Sequence, residues 1–144
     1  MKLKTELQLI ELEDDNFHLV AASIFNRAVS GYWIVDTGAS KTVFDLNLKD
    51  LYKSAGEETD QVHTAGIGEK PIQTAIGLID SFTLGKLTVD YLRVALLDLS
   101  HINRFYSQAA GIQICGLLGS DFLMKYSAVI DYKRKVMILQ SNKS

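Results

Sequence analysis

Apolar and polar side chains alternate along most of this 144-residue chain. A two-residue period suits half-buried strands and cannot sit on one face of a helix. In the first segment Leu7 and Leu9 share a face with Glu11, while Glu6, Gln8 and Ile10 share the other. β-like runs follow at Phe17 to Phe25 and Tyr32 to Val35, then at about Ile72 to Leu84 and Leu87 to Leu97, the last two joined near Gly85-Lys86. The pattern breaks at FDLNLKDLYKS, where Phe44, Leu48 and Leu51 have helical spacing and Asp45 is a candidate N-cap. SHINRFYSQAAG, from Ser100 to Gly111, reads as a loop with a helical turn. IQICGLLGSDFLMKYS reads as a buried strand, a glycine turn and a short helix from Ser120, and AVIDYKRKVMIL as a closing hairpin. With 47% apolar residues the chain has enough material for one core. The expectation is a single all-β domain over residues 1–144 with one or two short helices.

Ile34 and Val35 lead straight into Asp36-Thr37-Gly38-Ala39-Ser40. A strand entering the interior carries a carboxylate there at a cost unless the charge is paired or used. Asp-Gly and Thr-Gly pairs also close strands as ordinary turns, so the tripeptide alone is compatible with a turn.

Other chemistries find little support. The formal charge of −2 gives no basic field for nucleic acid, and the YKRK run at 132–135 reads as a solvated turn. GASKT at 38–42 matches only the end of a phosphate-binding loop, with Val35 and Ser40 where glycines are required. His18, His63 and His101 have no metal spacing and read as surface or packing residues, so neither a metal nor a cofactor is expected. Cys115, the only cysteine, sits in an apolar run and reads as a buried inert thiol. It excludes an intrachain disulfide and suits a reducing, cytoplasmic setting. Glu6, Gln8 and Glu11 interrupt the N-terminal apolar residues, so this stretch is not a signal-peptide core, although a signal removed upstream is left open. No apolar run approaches the roughly 20 residues of a membrane helix.

Several segments, in order, resemble the retropepsin-like aspartic proteases, in their small bacterial form. Tyr32 to Val35 and the loop Asp36 to Ser40 match the apolar strand and catalytic loop. Gly66-Ile67-Gly68 falls where the family keeps its mobile flap. Leu117-Leu118-Gly119 with Ser120-Asp121-Phe122-Leu123 matches the apolar-apolar-Gly motif and its trailing helix, and VIDYKRKVMIL the last hairpin. The resemblance spans roughly residues 30 to 140.

It implies a closed, barrel-like retropepsin fold and an aspartic endopeptidase. Two carboxylates within hydrogen-bond distance share one proton, so one serves as base toward water and the other as acid. Pepsin-type chains carry two Asp-Thr-Gly loops. This chain has one, so the resemblance implies a homodimer with one Asp36 from each copy, the terminal strands giving a second contact. It assigns catalysis to Asp36, Thr37 and Gly38, substrate contacts to Ser40, Gly66, Ile67 and Gly68, and support of the loop to Ala39, Leu118, Gly119 and Asp121. Retroviral enzymes carry an arginine where Asp121 stands, paired to an acid where Ser40 stands. The expectation is that a Ser40–Asp121 hydrogen bond replaces this pair or that the contact is absent. The partners implied are a polypeptide substrate and a second copy, with no nucleic acid or membrane. The competing reading is a peptide-binding or dimerising module of the same fold without proteolysis.

Overall fold

The computed structural model describes residues 1–60 and 72–141. They form strands β1 (Lys2–Glu13), β2 (Asn16–Phe25), β3 (Val29–Val35), β4 (Val43–Asp45), β5 (Lys53–Asp60), β6 (Ile72–Leu84), β7 (Leu87–Leu97), β8 (Ile114–Leu118), β9 (Val129–Asp131) and β10 (Val136–Gln140), with helices α1 (Ser100–Ala110) and α2 (Ser120–Lys125). The strands lie in the order β5-β6-β7-β4-β8-β3-β2-β1-β10-β9, and a further pairing of β2 with β6 at Ile24 and Thr83 closes the run from β6 to β2 into a ring. The chain is therefore all-β and barrel-like, with two short helices.

Alternation is what allows closure. In β1, Leu3, Thr5 and Leu7 point inward while Lys2, Lys4 and Glu6 face water. Asn26 and Arg27, both at positive φ, make the tight connection from β2 to β3. Most neighbouring strands are antiparallel, but β3 runs parallel to β8, and β4 parallel to β7. Parallel neighbours need long connections, so residues far apart in the chain end side by side at the C-terminal ends of β3 and β8.

The core inside the ring is organised around Trp33, which is fully buried and meets Phe25 and Phe82 edge-on and Phe44 at a tilt. Its indole N–H donates to the Ser23 hydroxyl at 2.6 Å. Gly116 of β8 lies against the indole. A Cβ there would sit 2.3 Å from a Trp33 ring carbon and 2.4 Å from the Val43 carbonyl oxygen. Cys115 beside it is buried, and burial pushes its thiol pKa up.

Three local expectations change. The helix expected at 44–51 is a short strand and a single 3-10 turn, Lys49–Leu51. Phe44 joins the aromatic core as a strand residue, and buried Asp45 accepts from Asn47 N–H and, across the fold, from Leu99 N–H. Packing overrides the weak helical spacing. The ambiguous stretch from Ser100 instead forms the 11-residue helix α1. Its first N–H, that of Ser100, is met by Asp98, and its end by Gly111 in the left-handed region at φ 65°. The terminal strands, which the resemblance assigns to a contact with a second copy, pair with each other within the chain, Lys2 to Glu6 against β10.

Two outcomes test this account. Gly116→Ala should lower stability by about 1–3 kcal/mol or more, because the Trp33 ring and the Val43 carbonyl cannot both retreat; chemical denaturation measures it. Asp98 has its pKa lowered to about 2 by the Ser100 hydroxyl and N–H and by the Asn47 amide. A carboxyl depressed on folding stabilises above its unfolded pKa and loses that contribution as pH falls through the folded value. The melting-temperature gap between wild type and Asp98→Asn should therefore be full above about pH 4 and close as pH falls toward 2.

Candidate active site

Asp36 stands where β3 leaves the sheet. Its backbone N–H donates to the Leu118 carbonyl at 3.0 Å, extending the β3–β8 pairing by one residue. The chain then turns at once, Ala39 N–H donating back to the Asp36 carbonyl at 3.2 Å and Gly38 N–H to Asp36 Oδ1 at 3.0 Å. The carboxylate is thus aimed by its own loop, as aspartates in tight turns are. Asp36 and Ala39 are half-buried, whereas Thr37, Gly38 and Ser40 are exposed.

The segment from Leu118 to Asp121 holds this loop from below. Ser120 N–H donates to the Ala39 carbonyl at 2.7 Å. Gly119 N–H donates to Thr42 Oγ1 at 3.1 Å, and the Thr42 hydroxyl donates to Asp121 Oδ1 at 2.7 Å. Gly119 is needed for closeness: a Cβ there would lie 2.5 Å from the Lys41 carbonyl carbon and oxygen and 2.9 Å from the Ala39 oxygen. The partner of Asp121 is buried Thr42, not Ser40, whose part is to offer its carbonyl to the Ser120 hydroxyl at 3.4 Å. Just beyond the loop, Lys41 reaches Glu58 of β5 at 3.3 Å, and Arg93 of β7 meets the same carboxylate at 2.5 Å. These cations, Arg93 foremost, lower the Glu58 pKa.

A pocket of about 270 Å³ opens beside Asp36. It is lined by the ends of β1 to β3, by Leu117, and by Ile102, Phe105 and Tyr106 of α1. Tyr106 is 2% exposed, and its hydroxyl has no hydrogen-bond partner among the described residues. Burial and the nearby Asp36 charge push its pKa up to about 12, so it stays protonated. His18, expected as a surface or packing residue, is half-buried with its ring edge-on to Tyr106 at 5.9 Å, and it lines the same pocket.

The structure therefore brings Asp36 to Ala39 together with Leu118, Gly119 and Asp121. Gly66, Ile67, Gly68 and His63 lie outside the described residues. Sequence reasoning missed Thr42 and the α1 wall. The spacing of Leu99, Ile102 and Tyr106 is the signal that could have found the helix.

Residues 20–122 match the family model described as Aspartyl protease. No curated protein matches the chain. Among solved structures it is similar to a retropepsin-like aspartic protease from Rickettsia conorii, with 20% identity over 96% of this chain and 92% of that one and a TM-score of 0.49. It is also similar to the retroviral protease-like domain of Ddi1 from Leishmania major, with 14% identity, coverage of 88% and 90% and a TM-score of 0.51. A third likeness is to edgp, with 13% identity, coverage of 98% of this chain but 46% of that one and a TM-score of 0.55. At such identities the likeness to the Ddi1 domain and to edgp lies in the fold.

The Thr42 bridge gives a test of how the loop is held. Thr42→Val should cost about 1–3 kcal/mol in urea unfolding, because it strands the buried Gly119 N–H. Thr42→Ser, which keeps the hydroxyl, should lose markedly less.

Proposed function

Because the chain belongs to the aspartyl protease family, we propose that it is an aspartic endopeptidase whose attacking water is activated by two Asp36 carboxylates, one from each subunit of a homodimer. The observation that carries the reading is the half-buried Asp36, its carboxylate fixed by Gly38 N–H at the end of an interior strand. A turn residue with only a local role has no need of the scaffold that the distant segment from Leu118 to Asp121 of the same chain provides.

The chemistry follows from a shared proton. One ionised Asp36 takes a proton from water as its oxygen attacks the peptide carbonyl carbon, while the protonated Asp36 of the other copy donates to the carbonyl oxygen. Collapse of the tetrahedral species returns the oxygen's proton, protonates the leaving nitrogen and breaks the C–N bond. A single carboxylate cannot be both acid and base in one step, so the reaction needs the second copy. Thr37 and Gly38 are exposed in the single chain, on the surface that a two-fold partner would cover. In this reading Thr37 steadies the pair across the axis. Gly38, lacking a side chain, admits the substrate backbone, and Ser40 borders the peptide's path. Ala39, Leu118, Gly119 and Asp121 keep the loop in place.

Asp36→Asn should lower peptide turnover roughly a thousandfold or more while still binding peptide. Mixing wild type with an equal amount of Asp36→Asn and letting the subunits exchange separates dimer from monomer. Random pairing leaves about a quarter of all dimers fully wild type, so activity per wild-type chain should fall to about half of its unmixed value; activity that stays unchanged would mean that each chain works alone. Wild type that binds extended peptides and cuts none would mark a binding module.

A further inference from the structure

Just past the Asp36 loop stands an ion cluster to which the catalytic reading gives no role. Lys41, the residue after Ser40, reaches Glu58 Oε1 of β5 at 3.3 Å, and Arg93 of β7 reaches Glu58 Oε2 at 2.5 Å. Two cations thus share one carboxylate. We propose that this cluster reads charge on the substrate, taking an acidic side chain of the peptide at a position removed from the bond cut at Asp36. The inference rests on Asp36 being the catalytic carboxylate.

Hydrogen-bonding capacity decides the sign of the charge. Each Glu58 oxygen already accepts from a cation. The Lys41 ammonium and the Arg93 guanidinium carry several N–H groups each and can accept nothing. What the cluster still offers is therefore donors, with two cations set against a single anion. A carboxylate suits both the spare donors and the excess charge, and a second cation suits neither. Glu57, the next acid along β5, belongs to the opposite face of that strand and leaves the excess in place. The two cations, Arg93 foremost, also lower the Glu58 pKa, so the balance holds in mildly acidic solution as it does at neutrality.

Position follows from the loop. Neighbouring side chains diverge here: the Thr42 hydroxyl goes to Asp121 on the supporting segment, whereas the Lys41 ammonium goes to Glu58 on β5. The Lys41 backbone is meanwhile fixed by Gly119, which packs against its carbonyl. All three charged side chains stay open to water, Lys41 by 39%, Glu58 by 37% and Arg93 by 60%. A peptide carboxylate can therefore reach the cations without opening the fold. Lys41 lies five residues beyond Asp36, so the side chain it meets is not the one beside the cut, where an acid would face the Asp36 charge. In a two-fold dimer each half of the cleft carries one such cluster.

The test is cleavage of paired peptides that differ only by glutamate against glutamine at positions not adjoining the cut, read as the ratio of their kcat/KM values. Wild type should favour glutamate by about two- to fivefold at one such position, the range of a partly exposed charge contact. That ratio should fall toward unity in about 1 M salt, where charges are screened within about 3 Å. Lys41→Gln, which removes the excess charge, should also bring the ratio near unity, and Arg93→Gln decides the matter if that variant misfolds. Glu58→Gln, which frees both cations, should raise the ratio. A cluster that merely braced the fold would respond alike to the loss of either partner. A ratio that falls in Glu58→Gln as it does in Lys41→Gln therefore overturns the inference, as does wild type that cuts both peptides equally well. Either result leaves the catalytic reading of Asp36 standing. Wild type that cuts nothing overturns that reading and this inference with it.

Discussion

The parallel alignment of β3 with β8 is the constraint on which the rest of the molecule depends. It exists because Gly116 allows the β8 backbone to lie against the Trp33 indole, at a distance that no side chain would permit. That contact sets the register, and the register delivers Asp36 N–H to the Leu118 carbonyl. A shift of one residue would turn Ile34 and Leu117 to the wrong faces and take the carboxylate out of its turn. The most buried aromatic cluster and the most chemically exposed loop are thus two ends of one pairing.

Stitching the loop to a distant segment answers a physical difficulty. In the proposed reaction Asp36 works beside a second carboxylate and has to be held against their repulsion, and loops by themselves are compliant. Here the loop backbone hydrogen-bonds to Leu118, Ser120 and, through the Thr42 hydroxyl, to Gly119 and Asp121. Since Gly119 has no Cβ to separate the segments, these bonds stay short and the loop stands on the sheet rather than beside it. Uncharged Thr42 serves where the resemblance implies a Ser40 contact to Asp121. A hydroxyl can donate to Asp121 and accept from Gly119 N–H in the same buried place, which a guanidinium, having no acceptor, could not.

Helix α1 shows how a feature remote from the chemistry comes to border it. Asp98 satisfies the first N–H of the helix and Asp45 the N–H of Leu99 just before it. Asn103 fixes the first turns to β8, and Tyr106 seals the far side against β2 and β3. The helix is held at both ends of its buried face, so the pocket it leaves beside Asp36 has a defined shape.

The strand content, the hairpin at Gly85-Lys86, the helix from Ser120 and the Asp36 loop were legible in the sequence because each rests on local pattern. Alternation fixes which side of a strand is apolar, glycines mark turns, and an Asp-Thr-Gly behind an apolar strand together with a later Leu-Leu-Gly forms a pair of short, specific signals. What the sequence could not decide is what depends on partners far away in the chain. Phe44 and Asp45 sit in a stretch with helical spacing, yet the aromatic core and the N–H of Leu99 claim them and leave a strand and a single 3-10 turn. Thr42 carries no mark of its contact with Asp121, 79 residues on. The two termini pair with each other, β1 against β10, a contact between opposite ends of the chain that no local pattern marks. Local rules therefore determined most of the elements and singled out Asp36. Only tertiary packing, by choosing which hydrogen-bonding groups and apolar faces are satisfied together, decided how that residue is held and what lies next to it.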